Sequence, residues 1–246
     1  MSKTLFITGG TRGIGEATLR KFACEGYSVA FVYKERDDLA KALMEEFPNC
    51  LGRAIDLGKG DTGEKLGDFA KEALVYFGSK SFDVGIINAG ISLRKLFTDL
   101  TDQEINETVD VNLRGAIQTA RAIVPGMVEE KKGSIVIVSS IWGEKGGSME
   151  TIYSATKHGT IGFGKSLAAE LGPSGIRVNM VAPGVIDTDM SRRELDEESM
   201  EMVKAMTPLG KIGKSSDVAE AIYFLSGEGA SFITGQVLTL DGGFSI

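Results

Sequence analysis

Seven short apolar runs, spaced by longer amphipathic stretches, constrain this chain more than any other feature. They occupy residues 4–8, 28–33, 50–55, 84–88, 134–139, 177–182 and 236–240. Runs of this length read as strands, and strands that alternate with helix-period segments build a parallel sheet. Parallel strands covered on both faces are apolar throughout, as Ile135-Val136-Ile137-Val138 and Val84-Gly85-Ile86-Ile87 are. The expectation is an α/β chain, doubly wound, with about seven strands and helices on both faces. At 246 residues the chain suffices for one large domain, 1–246, and is short for two. Thr101-Asp102-Gln103-Glu104 has capping-box spacing and predicts a helix running towards Met127, whereas Pro173 and Gly175 stop the helix before them. Residues 187–214, polar and rich in Met, fall outside the alternation and are expected to form a substrate loop or lid.

Charge and composition narrow the function classes. Lys and Arg total 27 against 34 Asp and Glu, a formal net charge of -7, so no global positive field draws in nucleic acid or an anionic membrane. Cys24 and Cys50 lack metal-ligand spacing and are too sparse for a disulfide framework, which fits a reducing cytoplasm. No apolar run approaches a membrane span, and Met1-Ser2-Lys3 leads straight into a strand-like segment, so a soluble, unprocessed cytoplasmic chain without a metal is expected.

The first strand runs into Thr8-Gly9-Gly10-Thr11-Arg12-Gly13-Ile14-Gly15, which opens a helix. Glycines at 9, 13 and 15 let the backbone turn sharply, approach a pyrophosphate and present helix N-terminal amides to it. An ordinary glycine turn is the plain alternative, because the chain holds 32 glycines. Strand-to-helix context favours a Rossmann-type nucleotide site. Its cofactor is read at the end of the second strand, where an acid would bond a ribose 2′-hydroxyl and repel a 2′-phosphate. That position is Tyr33, followed by Lys34 and Arg36, with Arg12 in the glycine loop. Three cations can surround a phosphate, so NADP(H) is favoured over NAD(H). Residues 34–38 also read as a solvated charge run, and Glu35 weighs against the phosphate.

Tyr153 and Lys157 stand four residues apart, on one helix face, so the ammonium is expected near the phenol, favouring its ionised form. Hydride addition turns a carbonyl into an alkoxide, so a site must donate a proton and stabilise negative charge. Tyr153 can donate it, Ser140 can bond the substrate oxygen, Lys157 can poise Tyr153 and bond a ribose, and Asn112 can fix a proton-supplying water. Each residue alone has a plain role: packing aromatic, solvated lysine, strand-end serine, local backbone binder. After a nucleotide fingerprint, the four together point to catalysis.

From Thr4 to Gly243 the sequence resembles the short-chain dehydrogenase/reductase family. The resemblance implies that Gly9, Thr11, Arg12, Gly13, Ile14 and Gly15 form the cofactor loop and that Asp56 and Leu57 lie by the adenine. It implies that Asn88, Ala89 and Gly90 support the loop beside the ribose, and that Asn112, Ser140, Tyr153 and Lys157 are the catalytic tetrad. Pro183, Gly184, Ile186 and Thr188 are similar to the segment that binds the nicotinamide carboxamide. Pro208-Leu209-Gly210-Lys211-Ile212-Gly213, Phe224-Leu225-Ser226, Ile233-Thr234-Gly235 and Asp241-Gly242-Gly243 most resemble bacterial 3-oxoacyl-acyl-carrier-protein reductases. Three positions depart from that subgroup. Ile87 replaces an Asn, Ile152 makes the pocket rim more apolar, and Ser174 stands where an Arg often docks the acidic carrier, leaving Lys131 and Lys132 as the basic patch.

The implied activity is NADPH-dependent reduction of a small-molecule or carrier-linked ketone, first a 3-oxoacyl thioester within fatty-acid biosynthesis. A sugar, steroid or other ketone, acetoacetyl-CoA, or an alcohol oxidised with NAD would use the same residues. A non-catalytic nucleotide sensor is the competing class, and its expected mark, a broken tetrad, is missing here. Met190, Met200, Met202, Met206 and Trp142 are candidates to line the substrate pocket, though core packing serves each as well. Gly159, Gly162, Gly164, Ala168 and Ala169 leave a helix face for close packing, on its own sheet or on another subunit; the resemblance implies a homotetramer.

Overall fold

A computed structural model describes residues 2–246. Its elements follow the expected alternation: β1 (Thr4–Thr8), α1 (Gly13–Cys24), β2 (Ser28–Tyr33), α2 (Asp37–Glu46), β3 (Cys50–Ala54), α3 (Thr62–Phe77) and β4 (Val84–Ile87) come first. Next are α4 (Asp102–Val109), α5 (Gly115–Glu130), β5 (Gly133–Val138), α6 (Thr151–Leu171) and β6 (Ile176–Pro183). The chain closes with β7 (Ile186–Asp187), α7 (Asp189–Glu194), α8 (Glu197–Met206), β8 (Gly213–Lys214), α9 (Ser215–Ser226) and β9 (Val237–Leu240).

Seven strands form one sheet in the order β3-β2-β1-β4-β5-β6-β9, and every pairing in it is parallel. Successive side chains of a strand point to opposite faces. Accordingly Leu5 and Ile7 enter one core layer with Leu19 and Phe22 of α1 and Ile222 of α9, while Phe6 enters the other with Phe69 of α3 and Ile123 of α5. Strand order reverses at β1, whose neighbours β2 and β4 carry the chain to opposite sides. That switch point opens a crevice beyond the carboxyl ends of β1 and β4, where ligands of open α/β sheets bind.

Thr101 caps α4 with both capping-box bonds formed, and a π-helical turn, Asp110–Arg114, joins α4 to α5. α6 ends at Leu171, and Gly175 supplies the left-handed residue (φ 73°) that turns the chain into β6. Residues 187–214 are ordered as α7, α8 and the β7–β8 pair. Met202 and Met206 on α8 are exposed. The small residues of α6 divide between the two readings: a Cβ at Gly164 would meet Met180 Sδ at 2.4 Å and one at Gly159 would meet Leu113 at 3.1 Å, so both serve packing within this chain. A Cβ at Gly162 meets nothing within 4 Å. Among the described residues, no helix is long and apolar enough to cross a membrane, and no cluster of metal-ligand side chains occurs.

Candidate active site

The glycine loop lies at the switch point. Gly9 and Gly13 have φ of 73° and 56°, and a Cβ at Gly15 would stand 1.9 Å from the Gly9 carbonyl oxygen. Only glycine fits such a turn. Arg12, at the N-cap of α1, makes no side-chain capping bond, so the first amides of this twelve-residue helix remain open to an anion. Asn88 Nδ2 donates to the carbonyls of Thr8 (2.9 Å) and Gly9 (3.3 Å), and the Asn88 and Ala89 amides donate to Thr8 Oγ1, tying the loop to the end of β4. Thr11 is buried and Ile14 packs on the core. Thr188, the N-cap of α7, closes the other side, 3.3 Å from where a Gly13 Cβ would sit. Ile186 is buried in β7, and Gly184 passes Asp241 so closely that a Cβ would lie 2.7 Å from it, while Pro183 pairs with Leu240.

At the adenine end, the three expected cations are not equivalent. Arg36, held in the left-handed region at φ 75°, is bonded through two nitrogens to Asp38 (3.0 and 2.8 Å). Lys34 lies 3.4 Å from Asp56 and 3.7 Å from Glu107. Among the described residues Arg12 alone of the three has no ion pair. Tyr33 packs on Phe31 and is 9% exposed, so the last side chain of β2 is a phenol and not a carboxylate, with Asp37 near enough to help raise its pKa after burial. Asp56 Oδ1 accepts from the Gly58 amide at 3.0 Å, and Leu57 is buried against Gly115.

β5 and α6 bring the four catalytic candidates together. Ser140 follows β5 in extended conformation, its Oγ accepting from the Trp142 amide at 3.2 Å. Tyr153 and Lys157 occupy successive turns of α6, which Ser139 fastens to β5 by donating to the Lys157 carbonyl at 3.0 Å. Lys157 Nζ donates to the Val138 carbonyl at 2.9 Å and lies 5.6 Å from the Tyr153 ring centroid. Gly90 lies against the pair, since a Cβ there would stand 3.3 Å from Asn112 Oδ1 and 3.4 Å from Lys157 Nζ. Within the π-helical turn, Asn112 Oδ1 accepts from the Ile91 amide and its Nδ2 donates to the Ile91 carbonyl, both at 2.8 Å, and to Thr156 Oγ1 at 3.2 Å. The Asn112 side chain thus clamps the Ile91 backbone to α6.

Electrostatics correct a second expectation. Lys157 is 4% exposed, and burial lowers its pKa to about 8. Burial raises the Tyr153 phenol above its ordinary value; the Ser140 hydroxyl acts against the rise, and Glu150 and Glu194 add to it. Burial is the main cause of that rise, and Lys157, whose Nζ donates to the Val138 carbonyl, does not offset it. A protonated tyrosine beside a serine hydroxyl can donate to a developing alkoxide.

Sequence patterns missed a polar corner next to this group. Glu150, the N-cap of α6 one turn before Tyr153, is 7% exposed, and its carboxyl faces Ser92 Oγ at 3.5 Å. Burial, with Glu194 adding, pushes its pKa up to about 7. Met149 beside it holds φ at 66°, its carbonyl accepting from the Lys95 amide at 2.9 Å. An acid shortly before a helical Tyr-x-x-x-Lys was readable; its burial was not. His158 bonds the Ser154 carbonyl and takes no part.

Lys131 and Lys132 stand immediately before β5, at its opposite end from Ser140, about 26 Å away at roughly 3.3 Å per residue, and Lys132 is paired with Asp83 at 2.9 Å. Within one chain the basic patch is remote from the tetrad and reduced by one cation.

A family model described as enoyl-(acyl carrier protein) reductase matches residues 9–245. YmfI, an uncharacterized oxidoreductase of Bacillus subtilis (strain 168), is 36% identical over 245 residues, covering 99% of each chain. The 3-oxoacyl-[acyl-carrier-protein] reductase FabG of Staphylococcus aureus (strain N315) is 36% identical over 245 residues, covering 99% of this chain and 98% of its own. Among solved structures, ElxO with NADP bound superposes with a TM-score of 0.89 at 33% identity and 99% coverage of both chains. Levodione reductase gives 0.90 at 28%, covering 99% of this chain and 97% of its own. With these matches running the length of a parallel-sheet fold, the chain belongs to the short-chain dehydrogenase/reductase family of oxidoreductases.

Proposed function

We propose that this protein is an NADPH-dependent reductase of a ketone, with a 3-oxoacyl thioester carried on acyl-carrier protein as the first substrate to try. The observation that carries the reading is the convergence of the Tyr153 phenol and Ser140 hydroxyl above the buried Lys157 ammonium. A reduced nicotinamide, held by the Gly9–Gly15 loop and the 183–188 segment, supplies the hydride when bound. As the substrate carbonyl becomes an alkoxide, Ser140 donates a hydrogen bond to its oxygen and Tyr153 transfers the phenolic proton to it. Lys157 then stabilises the phenolate left behind. Asn112, clamped to Ile91 and Thr156, positions the Gly90–Ile91 backbone beside Lys157.

NADPH is favoured because Tyr33 replaces an acid and Arg12 has no ion pair among the described residues, and the NADP-bound ElxO structure supports it. Cytoplasmic location and assembly as a homotetramer complete the reading, with the outward face at Gly162 suited to a helix contact.

One observation favours a second reading, a ketone free of any carrier: the Lys131–Lys132 patch lies at the far end of β5, with Lys132 already paired. Oxidation of NADPH, and separately NADH, with acetoacetyl groups on carrier protein, on coenzyme A and on a small free thiol separates the two. Fast turnover with NADPH and the carrier-linked form supports the first; equal rates on all three support the second. Cofactor binding with no thioester turnover rejects both thioester substrates and directs attention to other ketones.

A further inference from the structure

Lys34 directly follows β2, and the glycine loop is fastened to the same strand end, the Gly9 and Gly10 amides donating to the Val32 carbonyl at 2.7 and 3.1 Å. In a doubly wound sheet this strand end is where the ribose of a dinucleotide is read, so a cation there can meet a 2′-phosphate. The Lys34 ammonium instead stands between two acids. Its Nζ lies 3.4 Å from Asp56 Oδ2, just past β3, and 3.7 Å from Glu107 Oε1, on α4. All three side chains line one cleft of about 530 Å³, with Gln103 and Asn106 of α4 beside them. The two acids are not equivalent. Asp56 also accepts from the Gly58 amide at 3.0 Å, whereas among the described residues the Glu107 side chain has Lys34 as its one polar partner. Asp110, at the same cleft, is paired with Arg114 at 3.2 Å, and Lys59, also at the cleft, forms no ion pair among the described residues. Lys34 alone therefore bridges the cleft from the strand end to α4.

We propose that Glu107 is a specificity-determining residue for the cofactor: it holds Lys34 across the cleft, and so makes the preference for a 2′-phosphate over a 2′-hydroxyl smaller than Arg12 and a free Lys34 would give. The proposal rests on the NADPH reading and deepens it by naming the residue that limits the preference. Lys34 carries a point charge and rotatable donors on a flexible stem, so it can serve Glu107 or a phosphate, and service to one weakens the other. A neutral 2′-hydroxyl makes no such demand, and with NADH the pair between Lys34 and Glu107 stays intact. Arg36 does not replace Lys34, because Asp38 holds it through two nitrogens. Lys34 and Glu107 are both about half exposed, so their pair is weak and the effect is a tuning of a few-fold, not an all-or-none switch.

The test is a double-mutant cycle read as dissociation constants by titration calorimetry, without turnover, on the native protein, Glu107→Gln, Lys34→Met and the double variant. NADPH is compared with NADH, and adenosine 2′,5′-bisphosphate with AMP, which carry the same contrast without the nicotinamide. At low salt Glu107→Gln is expected to tighten NADPH about threefold relative to NADH, the scale of one exposed ion pair. Lys34→Met weakens NADPH relative to NADH, and in its background most of the gain from Glu107→Gln is lost. The bisphosphate and AMP should repeat the pattern, and the gain should shrink at about 0.5 M salt, where exposed charges are screened. No gain from Glu107→Gln overturns the proposal. So does a gain that mostly survives the loss of Lys34, since Glu107 would then repel the phosphate directly. Either result leaves the NADPH reading standing. Native protein that binds NADPH no more tightly than NADH, at a ratio that neither Lys34→Met nor Arg12→Ala changes, overturns the NADPH reading and the proposal with it.

Discussion

Replacing Lys157 by Met should abolish turnover and yet make the protein more stable at neutral pH. The lysine is 4% exposed, and burial lowers its pKa from 10.5 to about 8. Below pH 8 both folded and unfolded states hold the proton, so the folded protein bears the full cost of a buried cation. At about 1.4 kcal/mol for each pH unit of displacement, that cost is about 3 kcal/mol. Between pH 8 and 10.5 the unfolded chain binds more protons, so the native protein gains stability as pH rises, and above 10.5 the cost has vanished. Met keeps the length of the stem but loses the 2.9 Å bond from Nζ to the Val138 carbonyl, which takes back about 1 kcal/mol. The variant is therefore expected to be more stable than the native protein by about 2 kcal/mol at pH 7, and about equal to it near pH 10. Urea unfolding of both proteins without ligand, at pH 7 and pH 10 and one fixed protein concentration, reads this as the difference between midpoints. Taking the difference cancels groups common to both, such as Tyr27, whose buried phenol is pushed up to about 12. A variant less stable at pH 7, or a difference that does not move with pH, would refute the reasoning.

Tyr153→Phe removes the proton donor but no part of the dinucleotide crevice; turnover should fall at least about 100-fold, with cofactor affinity retained in a fluorescence titration. Arg12→Ala should weaken NADPH about tenfold more than NADH, because Arg12 has no ion pair among the described residues whereas Arg36 is held by Asp38; equal losses would remove the 2′-phosphate from its role. Gly15→Ala sets a methyl 1.9 Å from the Gly9 carbonyl oxygen, and should cost about 2 kcal/mol or more of stability together with cofactor binding. Normal binding by that variant would show that the loop can move aside.

Period and spacing carry far in this chain, and fail where tertiary burial decides. The seven strands lie within a residue or so of their expected ends because buried parallel strands leave an unbroken apolar record. The Thr101 capping box and the Gly175 stop were equally legible, each being a local arrangement. Glycine positions marked the tight turn after β1 because close backbone approach excludes every other residue. The direction of the Tyr153 pKa was not legible. Helical spacing brings Lys157 near the phenol, but which acceptor takes its ammonium depends on the Val138 carbonyl contributed by another element. Asn112 gave no hint of its clamp on Ile91, 21 residues away, and a π-helical turn has no sequence period of its own. Arg36 reads as a phosphate ligand from its place after β2, whereas its bond to Asp38 follows from a left-handed backbone that the charge run does not signal. The burial of Glu150 is decided by folding, and no motif marks it.

NADPH bearing deuterium at the transferable position, incubated with the protein and an acetoacetyl thioester, should leave one deuterium on the carbinol carbon of the product, with Tyr153→Phe forming almost none of that product. Cofactor consumed without deuterium at that carbon, or labelled product formed at the native rate by Tyr153→Phe, would contradict hydride transfer to a ketone protonated by Tyr153.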